Sequence, residues 1–235
     1  MRFRTLLSLL IPLAAAALFL RLGVWQTSRH LERAAVNAAL ADRLAQPAVP
    51  FGALPADTLE ARWRRVTLAG RFRYDLEQVQ AGRTSQGSPG VHLLTPVEVA
   101  GSDTLVVVAR GWVYSPDAAG AELPRWREAA EVTLAGYALP LATEGTPPAK
   151  GRPFRALDVR SLSGRVGRPV APLMVVMTSD SAARADSVPR RLPPPTVDRG
   201  PHRDYAIQWF AFALIAIAGG LLLFRRGIVQ DRAGR

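Results

Sequence analysis

The sequence predicts a membrane protein in which two transmembrane α-helices flank a mainly antiparallel β (α+β) exported domain. Three observations point to this class. An apolar stretch near each end of the chain is long enough to cross a bilayer. Between these stretches, short segments alternate apolar and polar residues, as half-buried strands do. The 235 residues also leave room for one domain of ordinary size between the two helices.

The first apolar stretch predicts a transmembrane helix over residues 5–25. Its outer end carries Trp25, whose indole suits the membrane interface because it is apolar in body and polar at its N–H. Small residues typical of a signal-peptide cleavage site, Ala14 to Ala17, lie inside the apolar run and not after it. We therefore interpret the segment as an uncleaved anchor. The helical pattern continues outward as a juxtamembrane helix over residues 26–46.

The second apolar stretch predicts a transmembrane helix over residues 205–224, in which no residue is formally charged. Arg225 and Arg226 follow this helix, and Arg2 and Arg4 precede the first one. Because basic residues next to transmembrane helices favour the cytoplasmic side, both termini are expected in the cytoplasm. The protein would then be a multi-pass protein of the cell (inner) membrane with its central domain in the periplasm.

The periplasmic β-rich domain is predicted over residues 60–180. Strands are expected at residues 62–72, 76–80, 91–99, 104–113, 131–137 and 172–177. The glycine-rich segment 82–90 is interpreted as a mobile hairpin loop, because it lacks the context of a phosphate-binding loop. The short connections between strands favour an antiparallel sheet or an open barrel over βαβ units. Residues 181–203 are polar and rich in proline, and are expected to form an extended linker back to the membrane.

Composition excludes several classes of function. The chain contains no cysteine, which excludes disulfides, thiolate metal sites and a copper chaperone built on cysteine pairs. The formal net charge is +11, but the arginines are scattered and form no helical stripe. We therefore expect no nucleic-acid partner, and we interpret the basic excess as attraction to anionic membrane lipid.

Four sequence elements occur in the order and spacing of a known family. They are Leu22-Gly23-Val24-Trp25-Gln26 followed by Arg29; Arg65-Val66 followed by Gly70-Arg71-Phe72; Arg110-Gly111-Trp112-Val113; and His202 with Tyr205-Ala206 and Gln208-Trp209-Phe210. Together they resemble the Surfeit locus protein 1 family of cytochrome c oxidase assembly proteins, over nearly the whole chain. The pattern departs from that family at Gly200, where bacterial relatives often have asparagine, and at Tyr114, where proline is common.

The resemblance implies a non-enzymatic assembly factor that acts in maturing the haem a and copper site of oxidase subunit I. The implied partners are cytochrome c oxidase subunit I and other assembly factors. Some members of the family have been proposed to bind haem a through a histidine at the start of the second helix. The matching residue here is His202, which would be the ligand of the haem iron.

The residues around His202 suit such a ligand site. In a helix, His202, Tyr205, Trp209 and Phe212 are three, four and three residues apart, so they are expected on one face. Imidazole is the commonest axial ligand of haem iron, and aromatic side chains suit the wall of a porphyrin site. Arg29 or Arg203 could pair with a haem propionate, because a guanidinium suits carboxylates.

The same residues allow other interpretations. The aromatic residues could be an ordinary membrane-interface belt, which fits a cofactor-free scaffold for oxidase subunits. His30 could be a second ligand or a surface residue. A membrane-anchored exported hydrolase would use His92 with Ser85 or Ser88 and Asp75, although no nucleophile elbow is present. The small residues Ala213, Ala216 and Gly220 are expected to pack against Ala14 and Ala17 of the first helix.

Overall fold

The computed structural model describes residues 3–118, 121–145, 147–148, 152–178, 189–195 and 200–233. The chain forms two compact units, one of Met1–Ala41 with Val197–Arg235 and the other of Asp42–Thr196. We call them the helical unit and the β unit. Most of the predicted linker 181–203 lies outside the described residues, as do residues 179–180 at the end of the predicted domain.

The helical unit is built from two long helices. Helix α1 covers Phe3–Ala45 without interruption, and helix α4 covers His202–Ala233. At 1.5 Å per residue, α1 is about 64 Å long, roughly twice the thickness of the hydrocarbon core of a bilayer. Segments of both helices, Leu9–Ala45 and His202–Arg226, are long and apolar enough to cross a membrane. The predicted fold class is confirmed, with an α+β unit between two apolar helices.

The β unit contains the following elements in chain order among the residues described: β1 (Val49–Pro50), α2 (Thr58–Ala61), β2 (Arg65–Phe72), β3 (Gln78–Ser85), β4 (Ser88–Glu98), β5 (Val106–Tyr114), β6 (Glu131–Pro140), α3 (Val159–Val166) and β7 (Leu173–Met177). Short 3-10 turns lie at Phe51–Ala53, Tyr74–Leu76 and Leu123–Trp126.

The described strands form one sheet in the order β1-β2-β6-β7-β5-β4-β3. β2 also pairs with β4, through Arg71 with Glu98 and Phe72 with Val97. The expectation was an antiparallel sheet or an open barrel. This second pairing closes β2, β6, β7, β5 and β4 into a small barrel, so the barrel is closed and not open. Most neighbours are antiparallel, as predicted, but β1–β2 and β5–β7 are parallel. The parallel β5–β7 pair is joined by a long connection that contains β6 and α3.

The segment 82–90 forms a hairpin, as predicted, but its strands extend further than expected. β3 and β4 run through the segment and leave only Gln86-Gly87 as the tip. The φ angles of these two residues are 51° and 79°, as in the two-residue turns that match the twist of a hairpin. The strand ends were taken for loop because they are polar and largely exposed, so no apolar alternation marks them.

The interior of the barrel is apolar at one end and contains a buried charge network at the other. The apolar end is formed by alternate residues of the strands: Val66, Leu68, Val97, Val108, Leu134 and Val175. At the other end Arg110 of β5 is 0% exposed. Its guanidinium donates to Glu77 at 2.6 Å, to the Thr95 hydroxyl at 2.8 Å and to Glu128 at 2.9 Å. Each of the three guanidinium nitrogens therefore has an acceptor, and such pairing is what makes a buried charge tolerable.

The same network holds the described segment 189–195 on the barrel. Arg191 forms an ion pair with Glu128 and donates to the backbone carbonyl of Arg110 at 2.8 Å. Its neighbour Arg190 exchanges two backbone hydrogen bonds with Trp112, at 2.7 and 2.9 Å. This part of the predicted linker thus packs as an extra strand-like segment beside β5.

We expect Arg110→Ala to lower the free energy of unfolding by about 3–5 kcal/mol, because it leaves the Glu77 carboxylate buried without its cation. Denaturant titration of the purified chain, followed by circular dichroism, measures the change. The control is Arg125→Ala, whose ion pair with Glu122 is exposed, and which should change stability little. Equal stability of the two variants would contradict a stabilising role for the network.

Candidate functional site

The candidate site lies where α1 and α4 pack against each other in the helical unit. Residues that are buried or half-buried recur on both helices at alternating steps of four and three. On α1 they are Pro12, Ala16, Phe19, Gly23, Gln26 and His30; on α4 they are His202, Ala206, Trp209, Ala213, Ala216 and Gly220. This spacing is typical of two helices packed nearly parallel or antiparallel along their length.

Small residues allow the two helices to approach closely. A Cβ atom added at Gly23 would lie 2.7 Å from Cε1 of Phe210, which is too close for any side chain. Ala16 is 2% exposed. The prediction that Ala14 and Ala17 form the packing face of α1 was wrong, because both are exposed and the face runs through Ala16 and Gly23.

On α4, the three small residues predicted to pack against α1 are buried or half-buried. Ala213 is 1% exposed, Gly220 is buried and Ala216 is half-buried. Small residues at a helix interface bring the backbones close enough for van der Waals contact and interhelical hydrogen bonds.

One such hydrogen bond joins His202, the first residue of α4, to Gln26 of α1. The distance between Nδ1 of His202 and Oε1 of Gln26 is 2.7 Å. Because an amide oxygen only accepts hydrogen bonds, Nδ1 of the histidine must carry the proton. In the neutral ring, Nε2 then has a free lone pair. This is the arrangement by which proteins orient a metal-binding histidine.

An aromatic cluster lies further along the same interface. The ring centroid of Phe19 is 5.6 Å from that of Trp209 and 5.8 Å from that of Phe212. Trp209 and Phe212 meet edge to face at 5.9 Å. Trp209 is seven residues after His202, about 10 Å along the helix. The cluster therefore supplies an apolar aromatic surface one helical step of seven residues from the histidine.

Of the four residues predicted to share one face of α4, only two are half-buried. His202 and Trp209 are half-buried towards α1, whereas the side chain of Tyr205 is 48% exposed and that of Phe212 is 38% exposed. Arg29, predicted to meet a propionate, forms an exposed ion pair with Glu32 at 2.6 Å.

A groove of about 650 Å³ opens beside His202. It is lined by His30, Ala34, Asn37, Ala38, Ala41, Gly200, Arg203 and Asp204. A Cβ atom added at Gly200 would lie 3.6 Å from Nε2 of His202, so this nitrogen is next to the groove wall. His30 also belongs to the wall, and its Nδ1 atom is buried without a hydrogen-bond partner among the described residues. Both histidines thus lie at or next to the wall of one groove.

One feature of the site was not predicted from the sequence. It is the hydrogen bond between Gln26 and His202, which joins residues 176 positions apart. The four-three spacing of Phe19, Gly23, Gln26 and His30 is the signal that would have placed Gln26 on the packing face.

Comparison with known proteins identifies the family. The sequence profile described as "SURF1 family" matches residues 13–214. The chain belongs to the SURF1 family. It is similar to a SURF1-like protein of Drosophila melanogaster, at 27% identity over 89% of this chain and 73% of the relative. It is also similar to a SURF1-like protein of Rickettsia felis, at 24% identity over 94% of this chain and 98% of the relative. An uncharacterised SURF1-like protein of Mycobacterium bovis is 26% identical over 86% of this chain and 76% of its own length.

The resemblance to the Surfeit locus protein 1 family is thereby confirmed. SURF1 proteins are known as cytochrome c oxidase assembly factors and are not generally enzymes. The chain is thus assigned to oxidase assembly by its family.

The residues of the hydrolase alternative are not brought together in this SURF1 chain. Asp75 pairs with Arg73 at 2.7 Å, and the Ser85 hydroxyl accepts a hydrogen bond from Arg190 at 3.3 Å. His92 lies inside β4, opposite Gln80 and Trp112 in the sheet register, away from the hairpin tip that carries the serines. The described geometry therefore gives a serine nucleophile no histidine base.

We expect Gly23→Leu to weaken the pairing of α1 and α4, because its side chain would meet the ring of Phe210. The loss should be about 1–3 kcal/mol, as for other overpacked interfaces. Titration of the chain from mild detergent into SDS, followed by tryptophan fluorescence, measures this loss. Val24→Leu is the matched control, since Val24 is 62% exposed. If both variants unfold alike, the tight contact at Gly23 is not what holds the helices together.

Proposed function

We propose that this chain holds haem a beside His202 before or during its insertion into subunit I of a haem–copper cytochrome c oxidase. The observation that carries this proposal is the 2.7 Å hydrogen bond from His202 Nδ1 to Gln26. With the amide oxygen as acceptor the proton lies on Nδ1, and the Nε2 atom of the neutral ring would be the one to bind iron. The haem is cargo in this account, bound transiently and passed on, and the chain itself performs no chemical step.

The donor set around the histidine fits a haem. Nε2 of His202 would hold the iron, and the rings of Trp209 and Phe212 would supply an apolar wall. Arg203 lines the groove next to His202 and is suited to a propionate. Arg29 would have to leave Glu32 to play the same part. Tyr205, at 48% exposure, is suited to the rim of the site or to lipid.

Orientation in the membrane follows from the charges. Arg225 and Arg226 after the second span, and Arg2 and Arg4 before the first, favour termini in the cytoplasm. The β unit is then exported to the periplasm, and His202 lies at the outer end of the second span. A haem bound there would be close to the outer surface of the membrane, among anionic lipid headgroups that the basic chain also contacts.

A cofactor-free scaffold for oxidase subunits is the second candidate. It is favoured by the exposure of Tyr205, because an aromatic residue at a membrane boundary is common without any ligand. Under this alternative, the Gln26–His202 bond only fixes the register of the two helices. The two candidates differ in whether the purified chain carries haem.

We expect the chain purified from cells that make haem a to show the absorption spectrum of haem a. His202→Ala should lose most of this haem, and Gln26→Met should lower the affinity about 10–100-fold, as loss of a partner that orients a ligand does. His92→Gln is the matched control and should retain wild-type haem.

Two results would sink the haem proposal. One is a wild-type protein without haem that still supports oxidase assembly, which favours the scaffold. The other is equal haem in the wild type and in His202→Ala, which removes the ligand assignment.

A further inference from the structure

A second cavity, of about 320 Å³, lies on the outer face of the β unit. Its volume is in the range of small-molecule sites, roughly 300–1,000 Å³. One part of its wall is apolar: Leu139, Leu141, Leu157, Met174, Val176 and Leu192. The other part is polar: Gln80, Arg83, His92 and Tyr137. The cavity thus has the two-part character of a site for an amphipathic ligand.

A β-bulge is what brings Arg83 to this cavity. β3 pairs Gln80 with His92 and Arg83 with Gly90, so three steps along β3 match two steps along β4. The extra residue is taken up at Ala81-Gly82, where Gly82 has φ +71°. In a regular strand, residues three apart point to opposite faces. The bulge instead places Gln80 and Arg83 on the same face, and bulges often re-aim a side chain at a functional site.

One donor of the Arg83 guanidinium has no acceptor among the described residues. Its Nε atom is buried and lacks a hydrogen-bond partner there. A buried donor on a charged group without a partner is costly. The guanidinium belongs to a residue of the cavity wall, and an anionic oxygen in the cavity would suit its charge.

The other polar groups of the cavity are neutral near pH 7. Burial, and secondarily the charge of Arg83, lowers the pKa of His92 to about 4. Burial raises the pKa of Tyr137 to about 12. Among these four polar side chains, Arg83 therefore supplies a single positive charge, and Gln80, His92 and Tyr137 supply neutral hydrogen-bonding groups. This matches an anion with one charge better than a phosphate with two.

We propose that this cavity binds a small monocarboxylate with an apolar body, such as a short-chain fatty acid. The carboxylate pairs with the Arg83 guanidinium in the cavity wall, and the aliphatic part lies against the wall of Leu139, Met174 and Val176. The site is separate from the proposed haem site and does not depend on it, because it lies entirely within the β unit.

The chain offers a clean probe of this site, because it has three histidines, of which one, His92, lines the cavity. Full-length protein with 13C-labelled histidine is titrated with hexanoate in detergent micelles, and His92→Gln assigns the His92 signal in the NMR spectrum. We expect hexanoate to shift the His92 signal in a saturable way. The signals of His30 and His202 report any non-specific effect on the micelle.

Three variants and a neutral ligand, hexanol, test whether the cavity binds the carboxylate through Arg83. Arg83→Gln should weaken hexanoate binding at least about tenfold, as expected for loss of a charged hydrogen bond. Ala156→Leu should also weaken it by filling the cavity from an exposed position. Arg65→Gln, at an exposed arginine of β2, should leave it unchanged. A shift that hexanol reproduces, a shift unchanged in Arg83→Gln, or no shift in the wild type would overturn the proposal.

Discussion

The close approach of α1 and α4 is the constraint on which the candidate site depends. Helices in a bilayer gain no hydrophobic stabilisation from pairing, so contact between small residues and interhelical hydrogen bonds must hold them together. Gly23 provides the contact, because no side chain fits between its Cα and the ring of Phe210. Gln26 and His202 provide the hydrogen bond, at 2.7 Å. The same bond joins the first residue of α4 to α1 and, with the amide oxygen as acceptor, places the proton of the His202 ring on Nδ1.

In the β unit, the comparable interaction is a hydrogen-bond network around one buried charged residue. Arg110 is fully buried and is satisfied by partners from three other parts of the chain, Glu77, Thr95 and Glu128. Burying a charge is costly, and the cost is recovered only when every partner is in place. Misplacing any of the three segments would leave the guanidinium unsatisfied. The network therefore favours one arrangement of the strands, and through Arg191 it also holds the segment that leads away from the barrel.

Local patterns predicted most of the fold and part of the site. The apolar runs marked both long helices, and the alternation of Val66, Leu68 and Phe72 marked a face of β2 that is indeed buried. Contacts between distant residues could not be read in this way. The closure of the barrel by β2 and β4 rests on two residue pairs. The acidic partners of Arg110, Glu77 and Glu128, lie 33 and 18 residues from it in the sequence. His202 was predicted from its helical neighbours and from the family resemblance, whereas its partner Gln26 required the structure.

The most direct test of this account is the protonation of His202. Full-length protein with 15N-labelled histidine is examined by NMR at a pH where the ring is neutral, and His202→Ala assigns its signals. The account predicts a proton on Nδ1 and none on Nε2, because the Gln26 oxygen accepts from Nδ1. In Gln26→Met this preference should be lost. A wild-type ring protonated on Nε2, or a tautomer that does not respond to Gln26→Met, would contradict the account.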